Sequence, residues 1–146
     1  MDVATTRFGR IAVDESDLLA FPQGLIGLRD CRRWCLLADV RNPALGWLQC
    51  ADAPDVALGI VSPRRFVPEY QLRTNWRDLA ELRLESLRDA QVAVVVNRLP
   101  EGLAANLRAP IVINLANRRG CQLIASDPLP TRHLLVPAGG PLRRTA

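Results

Sequence analysis

The side chains that most often carry out catalysis are few in this chain of 146 residues. Its one histidine, His133, stands between Arg132 and Leu134, and a single histidine is more often a surface residue than a catalyst. None of the four serines has the sequence context that exposes a serine nucleophile on a tight strand-to-helix turn. They are Ser16, Ser62, Ser86 and Ser126. We therefore predict that the protein is not an enzyme.

Glycines and cysteines give no sign of a cofactor or a metal. The segment from Gly24 to Gly27 encloses apolar residues and no lysine follows it, unlike a phosphate-binding loop. The first two cysteines are separated by three residues, which is not a common spacing for zinc ligands. We expect all four to stay reduced and to pack as small apolar residues. They are Cys31, Cys35, Cys50 and Cys121.

The charge of the chain leaves one binding function open. All 19 basic residues are arginines, and with 15 acidic residues they give a net charge of +4, which invites a nucleic-acid interpretation. Most arginines are scattered among acidic residues, so we interpret them as a solvated surface. Phe66 and Tyr70, close to Arg64, Arg65 and Arg73, are the one mixture of aromatic and basic residues that could stack bases. Direct RNA binding by a basic β-barrel therefore stays the alternative function.

The elements that would position these residues are short strands. Apolar and β-branched segments are interrupted at close intervals by Pro, Gly and Asp, which is typical of β structure. A spacing of about ten residues favours an all-β barrel or sandwich over a parallel α/β sheet. We predict strands at 6–13, 18–21, 34–38, 47–51, 56–61, 92–99, 111–116 and 122–125, with an edge segment at 70–73.

Turns and caps complete the predicted organisation. Asn75 is expected to cap a short helix that contains Leu79 and Leu82, and Ser86 can cap a further single turn. Between the last two strands, Gly120 is expected to supply a left-handed turn conformation. We predict one domain over 1–136 and a disordered tail over 137–146. No apolar run is long enough for a membrane span or a signal peptide, so we expect a cytoplasmic protein.

Three motifs occur in a fixed order along the chain. The first is the turn-like segment from Phe21 to Leu28, and the second contains Pro63, Phe66, Pro68 and Tyr70. The third is the run from Asn106 to Asn114, in which Pro110 opens an apolar strand and cannot lie inside it. Together these motifs resemble the FliW family of flagellar assembly factors, and the similarity extends over roughly residues 5–126.

The resemblance implies a fold and two protein partners. The fold is a small antiparallel β-barrel with one or two short helices. The partners are CsrA, a dimeric RNA-binding regulator that represses translation of flagellin messenger RNA, and flagellin itself. Binding to CsrA relieves the repression, and flagellin sequesters the FliW protein. The resemblance implies no cofactor, no membrane and no direct contact with nucleic acid.

The same three motifs supply the predicted partner-binding residues. The first can form a displayed turn, the second an edge that a partner covers or extends, and the third a contact loop. For each of them turn geometry and packing are the competing interpretation. The residues are Pro22, Gln23, Gly24, Phe66, Tyr70, Asn106, Pro110 and Asn114.

Overall fold

The computed structural model describes residues 1–137, and most of its regular structure is β-strand. The strands are β1 (Asp2–Thr5), β2 (Gly9–Ala12), β3 (Leu19–Ala20), β4 (Arg33–Ala38), β5 (Gly46–Cys50), β6 (Ala57–Val61), β7 (Ala90–Leu99), β8 (Gly102–Ala105), β9 (Ile111–Asn114), β10 (Arg119–Gln122) and β11 (His133–Pro137). Short 3-10 helices lie at Glu15–Asp17, Pro63–Arg65, Trp76–Leu82 and Leu87–Asp89. No helix of the described chain is long and apolar enough to cross a membrane.

Nine of these strands form one sheet that closes on itself. Neighbours follow the order β11-β8-β7-β6-β5-β4-β3-β10-β9, and β9 also pairs with β7. Strand β7 makes this closure because it is long enough to serve two sides. Its first residues, from Ala90 to Ala93, pair with β9, and its later residues pair with β6 and β8. The predicted small antiparallel β-barrel is confirmed, with one parallel contact between β3 and β10 within residues 1–137.

The core explains why the Ile-Val-Ile run of β9 is apolar without interruption. Ile111 and Ile113 point into the barrel, where they join the buried cluster that contains Phe21 and Trp34. Val112 points the other way and packs in a separate cluster with Leu82 of the longest 3-10 helix. Because neighbouring strand residues face opposite sides of a sheet, only a strand covered on both faces buries all of them.

The N-terminal segment differs from the prediction of one strand over 6–13. Strands β1 and β2 form a separate antiparallel hairpin instead. The hydroxyl of Thr5 accepts a hydrogen bond from the backbone N–H of Phe8 at 2.8 Å and donates one to the carbonyl of Gly9 at 2.7 Å. These two bonds fix a turn where the prediction had a continuous strand.

The predicted edge segment at 70–73 was wrong, since those residues lie outside any strand. Three strands were missed, β1, β8 and β11. Strand β10 ends at Gln122, although the chain stays extended through Ala125, whose N–H donates to the carbonyl of Arg108 at 2.8 Å. The helix begins after Asn75 as predicted, and the Asn75 side chain accepts from the N–H of Arg77. It is a 3-10 helix.

The predicted hairpin turn before β10 is present, but its left-handed residue is not Gly120. Arg118 has the positive φ, 60°, and Gly120 lies inside β10, opposite Ile113. The predicted tail begins at Pro137, which is the last residue of β11 and pairs with Gly102. The other nine residues of that tail, 138–146, lie outside the described chain.

Candidate partner-binding site

The first motif folds into a hydrogen-bonded turn that displays one apolar side chain. Phe21 anchors it in the core. Gly24 has φ of +65°, and a side chain there would come within 2.6 Å of the Arg29 backbone, so only glycine fits. Leu25 and Leu28 exchange backbone hydrogen bonds at 2.8 and 3.2 Å. The bonds leave Ile26 at the tip, 58% exposed.

This turn lies beside the 3-10 helix Trp76–Leu82 and strand β10. The Oε1 atom of Gln122 accepts a hydrogen bond from the N–H of Ile26 at 2.8 Å. Gln23 reaches the helix, where its Nε2 donates to the carboxylate of Glu81 at 3.4 Å. A groove of about 410 Å³ remains between the three elements, and Arg29 and Arg77 are among its lining residues. We call this space the turn groove.

Ile124 is a second exposed apolar residue, in the segment that follows β10. It follows Gln122 by two residues in the extended segment, where exposure alternates from Gln122 to Ala125, so both side chains lie on the outer face. Ile124 is 60% exposed. Sequence reasoning missed both Ile26 and Ile124. An apolar residue at an outward position of a strand was the available signal for Ile124.

The predicted residues of the first motif take different positions. Gln23 is exposed and lines the groove, Pro22 is half-buried, and Gly24 is buried beneath the turn. The structure therefore displays this turn to solvent, although Gly24 contributes its backbone shape and not a contact surface.

The aromatic residues of the second motif face inward. Tyr70 is buried, and its hydroxyl donates to the carbonyl of Leu107 at 3.0 Å. Burial raises the pKa of this hydroxyl. Phe66 is half-buried against the core cluster that contains Tyr70 and Val94. Tyr70 is therefore not exposed for stacking on a base, and Phe66 is exposed only in part.

The residues of the third motif hold β9 in place. Pro110 is fully buried directly before β9, as a strand opener should be, and its carbonyl accepts from the N–H of Leu123 at 2.9 Å. Asn114 is also buried; its Nδ2 donates to the carbonyl of Leu82 at 2.9 Å and its Oδ1 accepts from the N–H of Ala116. Asn106 is half-buried and accepts from the N–H of Arg108.

The groups with potential for nucleophilic or metal chemistry are dispersed or buried. All four cysteines are free thiols inside the fold. Burial raises the pKa of the Cys31 and Cys121 thiols to about 11, which keeps them in the unreactive protonated form. Within residues 1–137 no three His, Cys, Asp or Glu side chains are grouped to hold a metal ion. The turn groove at the surface is lined by apolar residues and by both arginines and carboxylates, among them Arg77 and Asp78.

Comparison with known proteins gives the family. The model of the family described as FliW protein matches residues 2–135. The chain belongs to the FliW family. A flagellar assembly factor FliW of Syntrophus aciditrophicus is 38% identical over 130 residues, which are 87% of this chain and 82% of that protein. The FliW of Moorella thermoacetica is 39% identical over 140 residues, which are 92% and 88% of the two chains.

A solved structure agrees with the FliW assignment. The crystal structure of a flagellar assembly factor FliW superposes on this chain with a TM-score of 0.85 at 28% identity, over 95% of this chain and 99% of the other. The FliW match to residues 2–135 includes the turn groove and all three motifs.

Proposed function

We propose that this chain is a flagellar assembly factor that acts in the cytoplasm by binding other proteins. In this proposal it binds CsrA and thereby relieves repression of flagellin synthesis, and flagellin in turn sequesters it. The observation that carries the proposal is the FliW match over residues 2–135, together with relatives named flagellar assembly factors. The chain performs no catalysis in this scheme, and it needs neither a cofactor nor a metal.

The buried aromatic residues favour this function over direct RNA binding. A single-strand RNA surface needs exposed rings on which bases stack, beside cations that follow the backbone. Tyr70 is buried and Phe66 is half-buried, so the aromatic and basic mixture in the sequence leaves only part of one ring exposed for stacking. Protein binding needs no such surface.

Of the eight predicted partner-binding residues, those with exposed surface are kept as contact residues in the proposal. Pro22, Gln23, Phe66 and Asn106 each retain surface that a partner can touch. Gly24, Tyr70, Pro110 and Asn114 shape that surface from inside.

The test is binding of the purified chain to purified CsrA and to purified flagellin by isothermal titration calorimetry. We expect a heat of binding with each partner and a dissociation constant at or below about 1 μM. Flagellin leader RNA, titrated into the chain alone at low and high salt, tests the alternative function. Absence of binding to both proteins at micromolar concentration, or salt-sensitive binding to the RNA alone, would falsify the proposal.

A further inference from the structure

Strand β7 begins with a segment that has a partner strand on one edge only. Strand β6 ends at Val61, which pairs with Val94, whereas β7 begins four residues before that pair, at Ala90. Strand β9 pairs with Ala90–Ala93 and reaches β7 from the edge opposite β6, because the barrel closes through β9. On the β6 side, no strand of the described chain accompanies these four residues.

The backbone of Val92 points to this uncovered edge. The carbonyl of Val95 accepts from the N–H of Asn106, directly after β8, at 2.9 Å. Neighbouring residues of a regular strand direct their backbone groups to opposite edges, and β7 is regular here because Val92, Val94 and Val96 pack in one cluster. The N–H and the carbonyl of Val92 therefore face the β6 side, and neither forms a hydrogen bond within the described chain.

Two cavities meet at the uncovered edge. The outer one, of about 450 Å³, is lined by the outward-facing Val112, and the inner one, of about 340 Å³, by Ile113, which faces into the barrel. Gln91 and Val92 line both. Since alternate side chains of a strand face opposite sides of a sheet, a strand added here would direct them into the two cavities in turn. We call the edge Ala90–Ala93 with its two cavities the β7 cleft.

The outer cavity offers hydrogen-bond donors and one positive charge. Among the described residues that line it, Arg64 alone is charged. Its Nε donates to the carbonyl of Tyr70 at 3.2 Å, and its exposed guanidinium forms no ion pair in the described chain, either with Asp78 or with Asp89, which adjoin lining residues in sequence. The hydroxyl of Ser62, also in the lining, makes no capping bond to the 3-10 helix that follows it. These donors suit a carboxylate.

The inner cavity is mainly apolar. Its polar lining residues within the described chain are Ser62, Arg65 and Gln91, and no carboxylate is among them. Leu36 and Leu115 also line it and remain 40% and 38% exposed. An apolar side chain of a ligand would remove this surface from water, which is favourable.

The shape of the cleft decides which occupant fits. The 3-10 helix Pro63–Arg65 lies against β7 next to the end of β6, and Val92 is half-buried. The uncovered edge is therefore short and recessed, so two folded copies of this chain cannot bring these edges together. A nucleic-acid backbone has no N–H groups to pair with the carbonyl of Val92. An extended polypeptide segment provides both the narrow shape and the paired donors and acceptors.

We infer that the β7 cleft binds an extended segment of a partner protein as an added strand beside Ala90–Ala93. The backbone of that segment exchanges hydrogen bonds with Val92. Its side chains alternate between apolar residues in the inner cavity and acidic residues that pair with Arg64. The site rests on the proposed function, since it needs a protein partner. The chemistry of the segment follows from the cleft, and it can be tested without CsrA or flagellin.

The first test is amide hydrogen exchange of the isolated full chain, followed by NMR. We expect the N–H of Val92 to exchange at least about tenfold faster than that of Val94, which lies in the ladder with β6. Equally slow exchange of the two amides would mean that the edge of β7 is already covered, and it overturns the inference.

The second test is selection of short random peptides displayed on phage against the immobilised full chain. Peptides that also bind the Leu36→Glu/Arg64→Glu double variant are removed. We expect the remaining peptides to carry Asp or Glu alternating with Leu, Ile, Val or Phe at every second position, and to slow the exchange of the Val92 amide. Apolar residues at helical spacing, enrichment of Lys or Arg, no enrichment over the double variant, or unchanged exchange at Val92 overturns the inference.

The third test uses the partner that binds in calorimetry. Leu36→Glu is expected to weaken binding at least about tenfold. Leu134→Glu is the matched control, because Leu134 is 45% exposed on β11 and lines neither cavity. Since both positions are exposed, thermal denaturation should show the two variants folded.

Charge reversal separates the electrostatic part. Arg64→Glu should weaken partner binding about tenfold at low salt and less at high salt, whereas Arg98→Glu on the exposed surface of β7 should not. Wild-type affinity in both Leu36→Glu and Arg64→Glu overturns the inference while leaving the proposed function intact. If the wild-type chain binds neither CsrA nor flagellin, the proposed function fails, and the amide exchange and the peptide selection decide the cleft.

Discussion

At the scale of single residues, Gly120 connects the first motif with β10 through a close contact. A Cβ atom at this position would lie 2.3 Å from Cζ of Phe21. The ring cannot move aside, because Phe21 is completely buried and packs edge-on against Trp34 with centroids 6.4 Å apart. Gly120 is therefore required by packing against the anchor of the displayed turn.

Gly120→Ala is expected to lower the free energy of unfolding by about 1–3 kcal/mol, the usual cost of overpacking a core. Urea denaturation measures this loss. Gly46→Ala is the matched control, since a Cβ there meets no atom closer than 3.4 Å and should cost less. Equal stability of the Gly120→Ala variant and the wild type would show that the ring has room to shift.

The buried thiols predict a loss of stability at alkaline pH. Burial raises the pKa of Cys31 from 9.0 to about 11, with a further contribution from Cys50, and burial also raises that of Cys121 to about 11. Between pH 9.0 and about 11, these thiols are deprotonated in the unfolded chain and remain protonated in the folded chain. Stability from this source is therefore complete below pH 9 and falls as the pH rises toward about 11.

The urea midpoint measured from pH 7 to about 11 tests this expectation. The Cys31→Ala/Cys121→Ala double variant should be less stable at neutral pH, but its midpoint should decline less steeply above pH 9. If the urea midpoints of the wild type and the double variant fall equally above pH 9, other groups cause the loss of stability at alkaline pH. Tyr70 is one of these, because burial raises its pKa too.

At the scale of elements, the 3-10 helix Trp76–Leu82 is held against the barrel mainly at its end. The carbonyl of Leu82 accepts from Nδ2 of Asn114 at 2.9 Å and from Nδ2 of Asn117 at 2.8 Å. Leu82 is fully buried beside Val112. The last residue of β9 thus fixes the helix that forms one wall of the turn groove.

Asn114→Ala is expected to cost about 1–3 kcal/mol of unfolding free energy, because it leaves buried polar groups with fewer partners. In a hydrogen-exchange experiment, the exchange rates of backbone amides should rise most in the helix Trp76–Leu82 and in the turn after β9. Asn106→Ala is the control, since Asn106 is half-buried and makes a local bond to Arg108. If Asn114→Ala loosens β9 and leaves the helix protected, the asparagine does not anchor the helix.

Elements with their own local signals could be predicted from the sequence. Asn75 caps its helix through its own side chain, and Pro110 has no N–H for a ladder, so each marks a boundary without help from the rest of the chain. Strands β8 and β11 have no such signal. Gly102–Ala105 is a small-residue segment whose extended form depends on pairing with β7 and β11. Pairing with other strands of the sheet cannot be predicted from a short segment of sequence alone.

The candidate site, like the fold, could be predicted only where a local sequence signal marked it. The glycines of the first motif indicated a shaped turn, and the structure has one. Which side chain that turn displays depends on the β10 glutamine that bonds to Ile26, 96 residues away in sequence. Gly120 was assigned to a turn because glycine commonly supplies positive φ, whereas its actual role is set by the ring of Phe21.

At the scale of the whole molecule, charge bears on how the proposed binding to CsrA would release RNA. The net charge is +4. A protein that displaces RNA by occupying its binding surface has to offer negative charge to the cations that held the phosphates, and like charges across an interface cost binding energy. We therefore expect this chain to bind CsrA away from the RNA surface and to favour the RNA-free form by coupling between two sites.

A titration with flagellin leader RNA distinguishes the two mechanisms. With coupling between separate sites, RNA raises the apparent dissociation constant of the chain for CsrA to a plateau, because the RNA-bound form still binds more weakly. Competition for one surface raises it in proportion to RNA without limit. The control for competition uses unlabelled chain in place of RNA. Unlabelled and labelled chain bind the same surface of CsrA, so the apparent dissociation constant must rise in proportion to the unlabelled chain. A plateau requires a ternary complex, which analytical ultracentrifugation should detect at saturating RNA. A proportional rise with no ternary complex would mean that the two ligands share a surface despite the positive charge of the chain.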